Sequence, residues 1–266
     1  MGKLPWRLLQ HGLADGPWNM AVDEAMAQAV GDGLVPATLR CYGWKPRTIS
    51  LGYLQRAPWG VDLPACRRHG IGLVRRITGG RAVLHADELT YSVAMPLQGS
   101  WRSLSVPDLF ARISSGLIAA LGHLGIRATL GEFQAPAGTG PASGACFLLR
   151  RMPAILVGGR KLLGSAMRRW DRCLLQQGSL LLDFDPCLHQ EIFPAWPVEN
   201  PAAGVTCLRD LMERCPSTGD LVSALREGWQ EALGAVCAAG DLLPVERAAA
   251  EAACLRYASD AWTFRR

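Results

Sequence analysis

The sequence predicts an α+β domain, a mixed β-sheet with flanking helices. Three observations predict it. Short strand-like runs broken by glycine and proline turns fill the first two-thirds, two segments among them carry apolar residues at helical spacing, and the last third is patterned for helices. The chain has 266 residues, 49% hydrophobic and 19% charged, enough to bury a substantial core without disulfide or metal support.

Asp15-Gly16-Pro17 has the form of a helix start, and Trp18, Val22, Ala25, Met26, Ala29 and Val30 follow at helical spacing up to Gly31. Runs from Thr38 to Tyr42 and Thr48 to Tyr53 read as strands around a Gly43/Pro46 turn. Gly72 to Ile77 and Ala82 to Leu84 read as strands flanking a glycine turn, and Leu89 to Met95 as a further strand. Pro107 opens an amphipathic helix with Leu109, Phe110, Ile113, Leu117, Ile118, Leu121 and Leu124 on one face, closed by Gly125. Gly131 to Ser143 is rich in Gly, Ala and Pro and reads as a loop, serving either as a lid or as a plain connector. Strands resume at Ala154 to Val157 and Cys173 to Leu182, and helices are expected over Val205 to Arg214, Leu221 to Ala238 and Val245 to Tyr257. The expected organisation is a catalytic domain over residues 1–200 and a helical C-terminal region over residues 201–266 packed on it.

No apolar run approaches the roughly 20 residues needed to span a bilayer, and Met1 to Gln10 is too short in apolar residues for a signal peptide. No membrane association and a cytoplasmic location are expected. The 9 cysteines are scattered singly with no C-x-x-C pair, which fits free thiols in a reducing compartment. The 5 histidines show no ligand spacing, so no metal is expected. The net charge of +5 comes without interleaved aromatics, so an acidic protein partner explains it and a nucleic acid is not expected.

Three segments carry chemistry. Arg75-Arg76-Ile77-Thr78-Gly79-Gly80-Arg81-Ala82-Val83-Leu84-His85 places two glycines between strand-like runs, where backbone passes close to a ligand or simply turns a hairpin. Gly158-Gly159-Arg160-Lys161-Leu162-Leu163-Gly164-Ser165-Ala166 sets a cation before a small-residue turn. Lys161 there is either a donor to a developing oxyanion or solvated surface. Ser143-Gly144-Ala145-Cys146-Phe147 surrounds a thiol with small residues, leaving a substrate room to reach it.

Together with Asp87-Glu88-Leu89-Thr90-Tyr91-Ser92, Gln177-Gly178-Ser179-Leu180-Leu181-Leu182-Asp183, the opening Asn19-Met20-Ala21-Val22-Asp23-Glu24-Ala25 and the closing Tyr257-Ala258-Ser259-Asp260-Ala261-Trp262, these segments resemble the signature of the biotin/lipoate protein ligase superfamily. Ser-Gly-Ala-Cys-Phe ahead of Gly-Arg-Lys is similar to its cysteine-dependent octanoyltransferase branch. The resemblance implies a biotin/lipoate protein ligase-like catalytic domain, with Cys146 and Lys161 catalytic. It also implies that Arg76, Thr78, Gly79, Gly80, Arg81, His85, Gly164, Ser165 and Ala166 bind substrate. His85 would be a general acid/base or a tie for the hairpin.

The implied reaction moves an octanoyl group from acyl carrier protein to a lysine of a lipoyl-accepting domain, such as the glycine-cleavage H protein. It proceeds through a cysteine thioester in lipoate biosynthesis, on a monomer and with no cofactor. The alternative is an ATP- and magnesium-dependent lipoate–protein ligase acting on free lipoate or octanoate. Two departures stand out: Leu148-Leu149-Arg150-Arg151 replaces a polar turn, and Gln176-Gln177-Gly178 stands where Gln-His-Gly is common.

Overall fold

A computed structural model describes residues 4–57, 59–132, 153–194, 202 and 204–265. Strand β1 (Leu4–Ala14) leads into helix α1 (Gly16–Gly31), which returns the chain to β2 (Ala37–Trp44) parallel to β1. Asp15 starts the helix, its side chain accepting from the Trp18 amide at 2.8 Å with Pro17 in the first turn. Next come β3 (Thr48–Leu51), α2 (Leu63–Arg68), β4 (Gly72–Arg75), β5 (Val83–His85), β6 (Glu88–Pro96), α3 (Val106–His123), β7 (Thr129–Glu132), β8 (Pro153–Val157), β9 (Arg160–Arg169) and β10 (Cys173–Leu181). The chain ends with α4 (Pro186–Ile192), α5 (Leu208–Leu211), α6 (Thr218–Leu233), β11 (Ala235–Gly240), α7 (Pro244–Tyr257) and α8 (Asp260–Thr263).

The strands form an 8-stranded sheet, ordered β11-β1-β2-β6-β10-β9-β8-β7, and a 3-stranded sheet ordered β4-β3-β5. The large sheet is mixed: β1 is parallel to both neighbours and every other pairing is antiparallel. This is the fold class expected from the sequence.

Period-two alternation sorts the central strands. Leu39, Cys41, Leu89, Tyr91, Val93, Leu174 and Leu180 join a core with Leu109, Ile113, Leu117 and Leu121 of α3 and Leu221, Leu225 and Trp229 of α6. On the opposite face, Tyr42, Ala94 and Leu175 pack with Met20, Ala21, Val22 and Met26 of α1, and α7 closes over α1 through Ala250 and Tyr257. The small sheet has its own core with α2 and α4, built from Ile49, Leu51, Ala65, Leu84, Leu188 and Ile192.

The α1-facing side of the large sheet carries polar groups, and one buried carboxylate collects them. Asp23 accepts from Arg40 Nη1 at 2.6 Å, the Tyr42 hydroxyl at 2.8 Å, Ser92 Oγ at 2.7 Å and Gln177 Nε2 at 2.6 Å. Arg40 is also held by Asn19 Oδ1 at 2.9 Å and by His11 Nδ1 at 2.9 Å. Both members of the Asp23–Arg40 pair are fully buried.

Several elements differ from the sequence reading. The segment from Leu4 was not expected as a strand; Arg7 within it is buried in a two-point pair with Glu246 of α7, both contacts 2.6 Å, so its alternation reads as polar. Gly164-Ser165-Ala166 is not a turn but the middle of β9, paired with Ser179, Gly178 and Gln177 of β10. The helix expected through Ala238 stops at Leu233, where Gly234 turns with φ 65°. Ala235–Gly240 is instead a strand parallel to β1, so the C-terminal region is not wholly helical. Its small side chains favour a helix locally, and pairing at the sheet edge overrides that preference. Between Val205 and Arg214 only Leu208–Leu211 is helical. Gly131 and Glu132 lie in β7, and the rest of the expected loop, residues 133–143, lies outside the described residues.

Arg40→Met would leave the Asp23 carboxylate buried without its cation. Stability is expected to fall by about 3–5 kcal/mol, as measured by denaturant titration followed by circular dichroism.

Candidate active site

Between the large sheet and the small one runs a narrow slot of about 30 Å³. Met20 of α1, Tyr42 and Trp44 of β2 and Val83 of β5 give it apolar walls, and Gly164, Ala166 and Gly178 leave it open along the sheet. Its polar lining comes from Ser50, Arg76, His85, Thr90, Lys161, Ser165, Gln177 and Ser179. An apolar cavity with a few convergent polar groups is the usual form of a small-ligand site.

Six of the residues expected from the sequence meet there: Arg76, His85, Lys161, Gly164, Ser165 and Ala166. Lys161 is 2% exposed, its strand position fixed on one side by a backbone bridge to Val205. Its amide donates to the Gly204 carbonyl at 3.0 Å and its carbonyl accepts from the Thr206 amide at 3.0 Å. Ser165 shares a 2.7 Å hydrogen bond with the Tyr91 hydroxyl, which also accepts from Gln176 Nε2 at 2.8 Å.

His85 lies flat on Trp44, ring centroids 4.0 Å apart and planes 13° from parallel. Both its ring nitrogens are engaged within the protein, Nδ1 with Glu88 at 2.6 Å and Nε2 with Ser50 Oγ at 2.8 Å. Glu88 is fully enclosed and also accepts from Thr90 and Ser179. Burial pushes the Glu88 carboxyl up, but the His85 charge and the hydrogen bonds from His85, Ser179 and Thr90 outweigh it and hold the group below the usual carboxylate range. Arg76 continues the chain, donating through Nη1 to the Ser50 carbonyl at 2.7 Å and to Ser50 Oγ at 2.9 Å.

Thr78, Gly79, Gly80 and Arg81 are not among the residues lining the slot. They form the turn outside it, which the slot residues hold from within. Arg76 Nη2 donates to the carbonyls of Gly79 at 2.6 Å and Arg81 at 2.8 Å, and Thr78 Oγ1 donates to Gln177 Oε1 at 2.7 Å. Gly80, at φ 87°, sits so close to Gly52 that a Cβ on Gly52 would overlap the Gly80 carbonyl. Cys146 lies outside the described residues.

A family model described as the lipoyl protein ligase A/B catalytic domain matches residues 15–230. The chain belongs to the lipoyl protein ligase A/B family. Within that family, the octanoyltransferase LipM of Kyrpidia tusciae is 42% identical over 98% of this chain and 99% of its own length. The octanoyltransferase LipM of Symbiobacterium thermophilum is 40% identical, covering 98% of both. A crystal structure of lipoate-protein ligase A bound with ATP has a TM-score of 0.79 at 22% identity, covering 99% of each chain. A bi-partite lipoate protein ligase from Thermoplasma acidophilum, analysed with its E2 lipoyl domain, has a TM-score of 0.74 at 22% identity over 97% of this chain and 96% of its own. At that identity the structural likeness shows the fold.

In this lipoyl ligase-family chain, sequence reasoning missed several slot residues. Met20 and Trp44 carry ordinary core signals, and Ser50 sits in an apolar strand. Thr90 alternates with Glu88 and Ser92 along one strand, which is a signal in the sequence, whereas Ser179 reaches Glu88 only across the β6–β10 pairing. Gln177, at the position where Gln-His-Gly is common, bridges Asp23, Thr78 and the slot.

Because the folded-state value of Glu88 is depressed, its stabilising contribution is complete above the ordinary carboxylate pKa and is lost as pH falls through the folded value. Glu88→Gln is expected to cost about 1–3 kcal/mol near neutral pH. Urea titrations at stepped pH should show the gap to wild type narrowing on acidification; a gap independent of pH would contradict the assignment.

Proposed function

We propose that this chain is an acyltransferase of lipoate biosynthesis. It moves an octanoyl group from acyl carrier protein to a lysine of a lipoyl-type domain, such as the glycine-cleavage H protein, through a thioester on Cys146. The observation that carries the reading is the slot itself, where the Gly-Arg-Lys strand, Arg76 and His85 converge on an apolar channel. Relatives named octanoyltransferase that match at 42% and 40% identity over nearly the full length support the acyl group and the reaction class. The neighbour analysed together with its E2 lipoyl domain supports an acceptor of that type.

Each buried methylene contributes about 0.8 kcal/mol, so a saturated chain gains affinity in proportion to the length it inserts. Entry has to widen the walls, and Met20, unbranched and flexible, is the side chain best able to yield. Lys161, buried in the lining, hydrogen-bonds the thioester carbonyl and stabilises the oxyanion that forms on attack. His85, held between Glu88 and Ser50, acts as a positioning residue that keeps Arg76 and the Trp44 wall in place.

Cys146 is the nucleophile in this reading. Among the described residues lining the slot there is no cysteine. Burial pushes other thiols away from the reactive thiolate: Cys41 up to about 12, and Cys66, Cys173 and Cys237 up to about 11. The Cys146 thiolate attacks the octanoyl thioester, its sulfur–carbonyl bond forming as the carrier's thiol leaves. An acceptor lysine amine then attacks the enzyme thioester, and Cys146 leaves as the amide forms. Exchange between thioesters is nearly isoenergetic and amide formation is downhill, so neither step calls for ATP.

Intact-protein mass after mixing with octanoyl acyl carrier protein, without ATP, tests the relay. Wild type is expected to gain one octanoyl group and Cys146→Ser none. Lys161→Met should slow adduct formation by about 10²–10³-fold. Turnover by Cys146→Ser from free octanoate and ATP would replace this reading with the ligase one.

A further inference from the structure

Met20 of α1 and Gln177 of β10 meet at the slot, and both line it. The Gln177 amide nitrogen donates to Asp23 Oδ2 at 2.6 Å and to Met20 Sδ at 3.6 Å. Its oxygen accepts from Thr78 Oγ1 at 2.7 Å. Chemistry fixes which end of the amide is which: a carboxylate only accepts, so the nitrogen faces Asp23. One N–H goes to the carboxylate, and the second is left for the sulfur, a weak acceptor.

The two ends of this N–H···S contact differ in freedom. Gln177 is gripped from α1 through Asp23 and from the turn through Thr78, and Asp23 is itself held by Arg40, Tyr42 and Ser92. Met20 is unbranched and can swing aside by changing rotamer alone. A fixed donor facing a movable acceptor has the form of a latch. Room makes it matter. The slot encloses about 30 Å³, space for no more than a few waters, and an eight-carbon chain needs several times that. Such a chain enters only by displacing a wall.

We propose that Gln177 is a specificity-determining residue: its second amide N–H latches Met20 in the channel, and a long acyl chain must break that contact to enter while a short one need not. The proposal rests on the acyl-transfer reading above. Position 177 is also where the chain departs from Gln-His-Gly, and the departure has a physical content. A neutral imidazole offers one N–H and one acceptor nitrogen, enough for Asp23 and Thr78, with nothing left for the sulfur. The amide makes all three contacts. Two of them tie the fold together, and the third acts on the channel.

The test measures acyl-enzyme formation by the full-length chain from octanoyl and butyryl acyl carrier protein, followed by intact-protein mass. It is run at pH 8, where an imidazole of ordinary pKa is neutral. The readout is the ratio of the two rates, because a loss of folded enzyme lowers both alike. Gln177→His is expected to raise the octanoyl-to-butyryl ratio about threefold. Met20→Leu takes away the sulfur at similar volume without touching Asp23, and should raise the ratio too. Adding Gln177→His to Met20→Leu should then change the ratio no further, since the two side chains act through one contact. Thr78→Val frees the turn but leaves both N–H contacts, and should keep the wild-type ratio. A ratio unmoved by Gln177→His, or raised equally with and without the Met20 sulfur, would overturn the latch while wild type still forms octanoyl-enzyme. A rise in Thr78→Val would overturn it as well, by assigning the effect to the turn. If wild type formed no octanoyl-enzyme at all, the transferase reading would fall and the latch with it.

Discussion

The buried Asp23–Arg40 pair is the constraint on which the remaining architecture depends. A carboxylate and a guanidinium without solvent are tolerable only when nearly every lone pair and N–H is satisfied. The groups that satisfy Asp23 come from three strands: Arg40 and Tyr42 on β2, Ser92 on β6 and Gln177 on β10. No pair of these elements completes the network alone, so α1 has one acceptable position over the sheet. Gln177 then carries the constraint outward, since its other end accepts from Thr78 and so pins the turn at the edge of the slot. A helix deep in the fold thereby sets the geometry of a surface loop.

A second polar chain, Glu88–His85–Ser50–Arg76, does the same for the opposite wall. It joins the large sheet at Glu88 to the small sheet at Ser50. Between the two chains lies the apolar channel of Met20, Tyr42, Trp44 and Val83. The polar groups bounding it are largely engaged with one another within the protein. The division of labour follows from strand alternation: one face of β6 and β10 is mostly apolar and packs on α3, and the other sets Ser92 and Gln177 beside Ala94 and Leu175 and faces α1.

Helices α1 and α3 and the motifs were legible in the sequence because each is local. The Asp15-Gly16-Pro17 start of α1 and the apolar stripe of α3 depend on neighbours within a few residues. What was not legible depends on partners far along the chain. The strand at Leu4 is disguised by Arg7, whose burial makes sense only once Glu246 is beside it. The strand at Ala235 is built of residues with weak strand preference and exists because β1 offers an edge. Gly164-Ser165-Ala166 has turn-like composition, yet its small side chains serve to leave a channel open on the face of β9. At the site, the Gly-Gly-Arg segment was recognisable as a unit, but its division into slot-facing Arg76 and an outward turn required the small sheet to be in place.

The most direct measurement is a crystal structure of the octanoylated enzyme, trapped after reaction with octanoyl acyl carrier protein. The predicted result is an acyl chain running between Met20, Trp44 and Ala166, with Met20 displaced and the thioester carbonyl beside Lys161. An acyl chain lying outside this channel, with Met20 and the slot walls unchanged, would contradict the assignment of the slot as the acyl site.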